Sequence, residues 1–286
     1  MEKIKIFIDT AADMPEAWAK EKGIGVLRFM SVFGEESFVT GTELDNEAFY
    51  KKLTAFDDIP KTAQTPFQDM YDALYEAAKE NDTVIYFAIS SKASGQYNTA
   101  RMVAEEIKEE YPSADIRVVD TQRFSAYISN AALMAVELAE EGKSADEIIE
   151  ICMKDMENWL AYILVDSLKY LEKGGRINKA SAIVGTLLDI KPVLSVQNGL
   201  IEPLEKLRGK KKVFKKLVAL AMEHPDFDNE NPEMMVVHSS KEFAEETAEI
   251  IEEELGRAPS RIYEFGPVVG THIGPGTLAV LFKLKK

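Results

Sequence analysis

"TVIYFAISSKASGQYNTARMVAEEIKEEY", residues 83–111, decides the fold. Its first eight residues are mostly β-branched or aromatic, the composition of a short strand buried on both faces. Small polar residues and a glycine follow, and then Tyr97, Ala100, Ala104 and Ile107 recur at helical spacing. Strand, turn and amphipathic helix in that order make one step of a parallel α/β sheet. Working outward, "KIKIFID" at 3–9 and "DIRVVD" at 115–120 supply further strands. "TPFQDMYDALYEAAKE" at 65–80 reads as another helix, with Thr65 as its cap and Pro66 in its first turn. Between them "GIGVLRFMSVFGEESFVTG" at 23–41 reads as a hairpin closing around Gly34 and Glu35, an excursion outside the parallel order. Two helices, near 125–141 and 144–157, finish this unit.

The rhythm then changes. "KPVLSVQNGLIEPLEKLR" at 191–208 is two strands joined by Asn198-Gly199, a pair that tolerates positive φ and so signals antiparallel pairing. A strand at 233–239, a helix carrying Phe243, Thr247, Ile250, Ile251 and Leu255, and the final strand "TLAVLFKL" complete an α+β unit. The expected architecture is α/β with two domains. Residues 1–158 form a parallel-sheet α/β domain with a hairpin excursion, and residues 159–286 an α+β domain with a largely antiparallel or mixed sheet.

The chain has 286 residues, 46% of them apolar, and a net charge of −15. That length suits two cores, and that charge argues against nucleic acid as a partner, since phosphate-backbone affinity depends on basic residues displacing counterions. The single cysteine, Cys152, has no internal disulfide partner, and the start "MEKIKIFIDTAADMP" has no long apolar run. A soluble, cytoplasmic monomer is the expectation. One basic island interrupts the acidic body: "EKLRGKKKVFKK" at 205–216 carries seven basic residues and one acid.

No GxxxxGK[ST] loop, GxGxxG after the first strand, HExxH or GxSxG occurs, and three scattered histidines make a zinc site improbable. What remains is a set of small polar residues at strand ends and helix starts: "IDT" after the first strand, "KTAQTP", "SSKASG" and the terminal "THIGPG". In open α/β sheets ligands bind beyond the carboxyl ends of strands, where helix N-termini favour anions. Ser94 with Gly95, and Thr62 with Gln64, suit a carboxylate, although the commoner roles of Ser94 and Thr62 are helix cap and loop residue. His224 reads as a surface loop residue and His238 as a satisfied structural one. His272, in a glycine-rich loop, is the open case. Arg176 in "YLEKGGRI" follows a helix stopped by Gly174 and offers a fork to a phosphate or an acidic partner, or else lies solvated.

Taken in order, "IDTAADMP", "KTAQTP", "SGQYNTA", "VVD", "YLEKGGRI", "DIKPVLSVQNGLIEPLEKLRGKKK" and "VVGTHIGPG" resemble the signatures of the DegV family over essentially the whole chain. The resemblance implies a bacterial, two-domain fatty-acid-binding protein without cofactor or metal, acting as the carrier subunit of a fatty acid kinase rather than as an enzyme. A separate ATP-dependent subunit phosphorylates the bound long-chain acid, and the acyl phosphate enters phospholipid synthesis. Carried over by motif, Thr62, Ser94, Gly95 and His272 would contact the carboxylate, with Asp9, Thr10, Gln64 and Gly274 as head-group neighbours. Arg176, Arg208, Lys210, Lys211 and Lys212 would serve partner docking, and the lysines would also favour transient contact with an anionic membrane surface. Two hydroxyls of the family pattern are missing: Asp9-Thr10-Ala11 stands for Asp-Ser-Thr, and Ala63 for a serine. Two rival readings are an acyl hydrolase or transferase with Ser94 as nucleophile and His272 as base, and a lipid-sensing regulatory protein.

Overall fold

The computed structural model describes residues 2–177, 190–208 and 213–285. The chain begins with β1 (Ile4–Asp9), a 3-10 turn (Thr10–Ala12), α1 (Glu16–Glu21), β2 (Gly25–Leu27), β3 (Met30–Phe33), β4 (Glu36–Val39) and α2 (Asn46–Ala55). It continues through β5 (Lys61–Ala63), α3 (Phe67–Glu80), β6 (Thr83–Ala88), α4 (Gln96–Glu110), β7 (Ile116–Asp120), α5 (Ala126–Glu140) and α6 (Ala145–Glu157). Then come β8 (Trp159–Leu164), α7 (Lys169–Gly174), β9 (Ile190–Gln197), β10 (Leu200–Arg208) and α8 (Val213–Met222). The last elements are β11 (Met234–His238), α9 (Lys241–Leu255), β12 (Arg261–Glu264), α10 (Pro267–Ile273) and β13 (Leu278–Lys283).

The first sheet is parallel throughout, in the order β2-β1-β6-β7. All six residues of β6 are buried because it lies between β1 and β7 with helices on both faces. Alternation then divides its side chains: Val84, Tyr86 and Ala88 join Met70, Leu74, Val103 and Ile107 of α3 and α4, while Ile85, Phe87 and Ile89 face α5. The second sheet, β10-β9-β8-β13-β11-β12, is antiparallel except for the β11–β12 pair. Its two faces also separate. Tyr162, Leu164, Val236 and Phe282 pack with α8 and α9, whereas Ala161, Ile163, Met235, Val237 and Leu281 join the core that holds α5 and α6. The small, mostly apolar residues of α5, buried over most of its length, mark it as a helix enclosed between the sheets.

Several readings of the sequence need correction. Gly25–Leu27 belongs to the parallel sheet as β2, so only β3 and β4 form the hairpin, and β5 joins them in a three-stranded sheet in which Ser31 faces Thr62. "KTA" is therefore strand rather than loop. Thr65 does not cap α3: its hydroxyl is taken by Gln96 Nε2 (2.9 Å), its N–H donates to Gln96 Oε1 (3.1 Å), and Pro66 occupies the cap position. The buried face of α4 is Gln96, Ala100, Val103 and Ile107, rotated from the one read, because Ala104 turns toward the open edge beside β7. His224 lies in the partly exposed turn after α8, as read, with its ring half-buried against Phe282 at 5.6 Å between centroids. His238 is buried, its Nδ1 has no hydrogen-bonding partner among the described residues, and burial lowers its pKa. Finally, the glycine-rich "loop" around His272 is α10: Pro267 presets its first turn and Gly274, at φ 77°, ends it. The β9–β10 turn is as read, with Asn198 at φ 49° and Gly199 at φ 79°.

Candidate functional site: an apolar pocket with a polar end

The carboxyl ends of β2 and β6 open toward a narrow pocket with about 520 Å³ of empty space, part of it open to solvent. One wall comes from the first sheet and its loops: Phe29 after β2, Ile89 and Ala93 after β6, Phe124 before α5. Opposite lie Val268, Val269 and Ile273 of α10 and the tip of the β9–β10 hairpin, Gly199 to Ile201. The hairpin tip is seated by Ser90 Oγ, which donates to the Gly199 carbonyl (2.8 Å). A Cβ at Gly199 would come within 2.5 Å of that Oγ, so the close approach requires glycine.

Four polar side chains line the same pocket: Thr62, Ser94, Arg176 and His272. Thr62 comes from β5 and His272 from the last turn of α10, 210 residues apart in sequence, and their side chains meet at 3.0 Å between Oγ1 and Nε2. Ser94 closes the turn after β6, where its Oγ accepts from the Gln96 N–H (3.2 Å) and so positions the start of α4, with Gly95 at the cap. Arg176 follows α7, whose C-cap is Gly175 at φ 69° rather than Gly174. Its Nε donates to the Ala93 carbonyl (3.1 Å) and its Nη1 to the Gly174 carbonyl (2.5 Å). Two guanidinium donors are thereby spent on backbone carbonyls, and the group is held against the pocket. Burial lowers its pKa.

Gly174 lies in the last turn of α7, where its backbone presses on the imidazole: an added Cβ would lie 2.7 Å from His272 Nδ1. Among the described residues, Nδ1 is buried without a hydrogen-bonding partner. Burial and, secondarily, the Arg176 charge push the His272 pKa down to about 4. The ring is therefore neutral at physiological pH. The linkage follows from the sign: because the folded pKa lies below the ordinary 6.5, this group's contribution is intact above pH 6.5 and is lost as pH falls toward 4. Replacing His272 by glutamine, neutral at every pH, is expected to recover up to roughly 3 kcal/mol of the stability lost between those limits. Urea unfolding of both proteins at the two pH values measures this. An equal loss in the variant would show that His272 does not titrate there.

The other expected head-group neighbours are committed elsewhere. Asp9 is buried and accepts from Tyr86 Oη (2.7 Å), Ile89 N–H (3.0 Å) and Ala11 N–H (3.0 Å), and burial raises its pKa to about 6. Thr10 Oγ1 accepts from the Phe29 N–H (3.0 Å) and contacts Thr40 Oγ1, which orients the pocket wall from behind. Gln64 packs on Gly95 and accepts from Thr99 Oγ1 (3.1 Å). Gly274 lies under the Tyr170 ring. Arg208 ends β10, exposed, and Lys210, Lys211 and Lys212 lie outside the described residues. No group of three His, Cys, Asp or Glu able to hold a metal occurs among the described residues. A Ser94–His272 catalytic pair would need the imidazole to reach the serine and an acid to orient it. Here Nε2 is engaged by Thr62.

Sequence reasoning missed that Arg176 and Phe124 line the pocket. Arg176 sat in a helix-stop motif with one glycine beyond ordinary need, and that surplus was the available signal. Phe124 carried none.

The fold and the pocket define an α/β protein of one parallel, one mixed and one small antiparallel sheet whose apolar pocket ends in hydroxyl, imidazole and guanidinium groups. Comparison with known sequences is specific: the model of "Uncharacterised protein, DegV family" matches residues 3–285, and the chain belongs to the DegV family. It is similar to a DegV domain-containing protein of Clostridium perfringens, 35% identical over 99% of this chain and 98% of the relative. Among solved structures it is similar to DegV of Bacillus subtilis, a fatty acid binding protein (30% identity, TM-score 0.82, all of both chains). The fatty acid binding DegV family protein of Streptococcus agalactiae compares closely too (30% identity, TM-score 0.85, all of both chains).

Proposed function

We propose that this protein binds a long-chain fatty acid, with the acyl chain among Phe29, Ile89, Phe124, Val268 and Ile273 and the carboxylate facing Thr62, Ser94, His272 and Arg176. One observation carries the reading: groups from β5, the β6–α4 turn, the segment after α7 and α10 converge at one end of an otherwise apolar pocket. The fatty acid binding described for the Bacillus subtilis and Streptococcus agalactiae relatives supports it. Burying about 15 methylenes at roughly 0.8 kcal/mol each contributes on the order of 12 kcal/mol before ordering costs, so the tail supplies affinity. The polar end satisfies and orients a carboxylate that would be prohibitive to bury alone. Neutral His272 donates or relays a hydrogen bond, and Arg176 supplies the charge.

In the same reading the site lies where a domain of residues 1–158 meets one of 159–286. The chain is a cytoplasmic, non-enzymatic carrier that presents the carboxylate to a separate ATP-dependent kinase, whose acyl phosphate product feeds phospholipid synthesis. Arg208 and Lys210 to Lys212 serve docking on that partner or on an anionic membrane surface. No helix among the described residues is long and apolar enough to cross a membrane. Organic extraction of natively purified protein followed by mass spectrometry is expected to release a fatty acid in near-stoichiometric amount. Recovery of none, together with no binding of added palmitate or oleate, would refute the reading. Thr62→Val, which keeps shape and removes the hydroxyl, is expected to weaken palmitate binding about tenfold, measured by titration calorimetry.

A further inference from the structure

α10 carries His272, yet it is fastened to the N-terminal half of the chain. Three consecutive residues just ahead of it are each held by a different N-terminal side chain. Asn46 Nδ2 donates to Glu264 (3.0 Å), Tyr50 Oη donates to the Phe265 carbonyl (3.0 Å), and the Gly266 N–H donates to Asp13 Oδ1 (2.8 Å). Along the helix Gly270 rests on Phe49, where a Cβ would lie 2.7 Å from the ring, and at the far end His272 meets Thr62.

Of these fastenings only Asp13 also grips a second wall of the pocket. Its Oδ2 lies 2.5 Å from Ser125 Oγ, the residue next to Phe124. Asp13 and Ser125 both adopt positive φ, 57° and 58°, conformations that non-glycine residues hold only under surrounding constraint. The Ser125 N–H returns to the Ala11 carbonyl (2.7 Å), so the two strained loops are bonded face to face. One carboxyl group thus spans the Phe124 loop and the start of α10, the two apolar walls between which the pocket opens.

We propose that Asp13 is a positioning residue that sets the spacing of these two walls, and with it the seat of His272, through the two oxygens of one carboxyl group. The inference rests on the pocket being the ligand site, but the spacing itself is a property of the free protein. The ionisable groups facing Asp13 are Asp9 of β1, Tyr50 of α2 and Glu264 of β12, and Glu16, Asp45 and Glu47 line the cleft on its open side. Ser125 and Gly266, from the remaining two elements, do not ionise. Burial, and after it the Asp9 and Glu264 charges, raise its pKa well above the carboxylate norm, which favours the neutral acid at the Asp13–Ser125 contact. Ionising Asp13 would set it against Asp9 and Glu264 and loosen the brace.

The test uses the full chain, palmitate as probe, and the imidazole ¹⁵N signals of the three histidines, with His272 assigned from His272→Gln. Asp13→Asn, which mimics the neutral acid, is expected to bind palmitate within about threefold of wild type. It should remove the part of the affinity loss that wild type shows as rising pH ionises Asp13, whose pKa burial holds above the carboxylate norm. Asp13→Ala, which leaves Gly266 N–H and Ser125 unpartnered, is expected to bind about tenfold more weakly, with the His272 signals shifted in the ligand-free protein. Should Asp13→Ala fail to fold, Ser125→Ala, which cuts one arm of the brace, is expected to shift the same signals. Wild-type pH dependence in Asp13→Asn overturns the proposal. So do unmoved His272 signals in Asp13→Ala, or in Ser125→Ala where that variant replaces it. If wild type binds no fatty acid, the ligand reading fails, and the His272 signals alone decide for or against the brace.

Discussion

Gly274→Ala is expected to destabilise the protein by about 3 kcal/mol or more and to weaken fatty acid binding with it. Two independent costs meet at this position. The backbone sits at φ 77° and ψ 175°, a region open essentially to glycine alone, which costs other residues about 1–3 kcal/mol. A Cβ there would also lie 2.3 Å from Tyr170 Cδ2, so the ring must move, and overpacking of this kind costs about 1–3 kcal/mol. Tyr170 belongs to α7, which a turn later carries Gly174 against His272 and then Arg176, so its displacement propagates to the polar end of the pocket. Gly23→Ala is the control: φ is 63°, but nothing lies within 4 Å of the added atom, and about 1 kcal/mol is expected. Urea unfolding measures the stabilities and palmitate titration the affinities. Equal losses in the two variants would rule out steric transmission through Tyr170.

Arg176→Leu is expected to weaken binding of a long-chain acid by about 100-fold while leaving the corresponding methyl ester nearly unaffected. Removing one partner of a desolvated charge pair costs about 2–5 kcal/mol, whereas an ester has no charge to lose. Arg176→Lys should be nearly as poor, since one ammonium cannot hold both the Ala93 and Gly174 carbonyls and still face the ligand. The leucine variant also makes an electrostatic prediction: with the neighbouring cation gone, the His272 pKa rises from about 4 toward its ordinary value. Parallel losses for acid and ester would mean that Arg176 only packs the pocket wall.

Different physical signals made the fold and the site legible to different degrees. The β6–α4 step was readable because burial on both faces of a central strand forces a continuous apolar run, and Asn198-Gly199 because positive φ restricts residue choice at a tight turn. Short elements were harder. β5 is three residues long and α10 seven, and each is stabilised by contacts from distant parts of the chain rather than by its own periodicity. That is why Thr62 read as loop and His272 as part of a glycine-rich turn, although both were legible as candidates by residue type.

By itself the sequence determined the parallel first sheet, the antiparallel hairpin of the second, the want of common catalytic motifs, and the family resemblance, since these rest on local periodicity, turn chemistry and ordered strings. Only the tertiary structure decided that Arg176 faces the pocket, that Asp9 and Thr10 stand behind it, and that Asp13 reaches both Ser125 and Gly266. The reason is physical. A side chain's partner across 112 or 253 residues is set by how sheets and helices pack, and no local pattern encodes that distance.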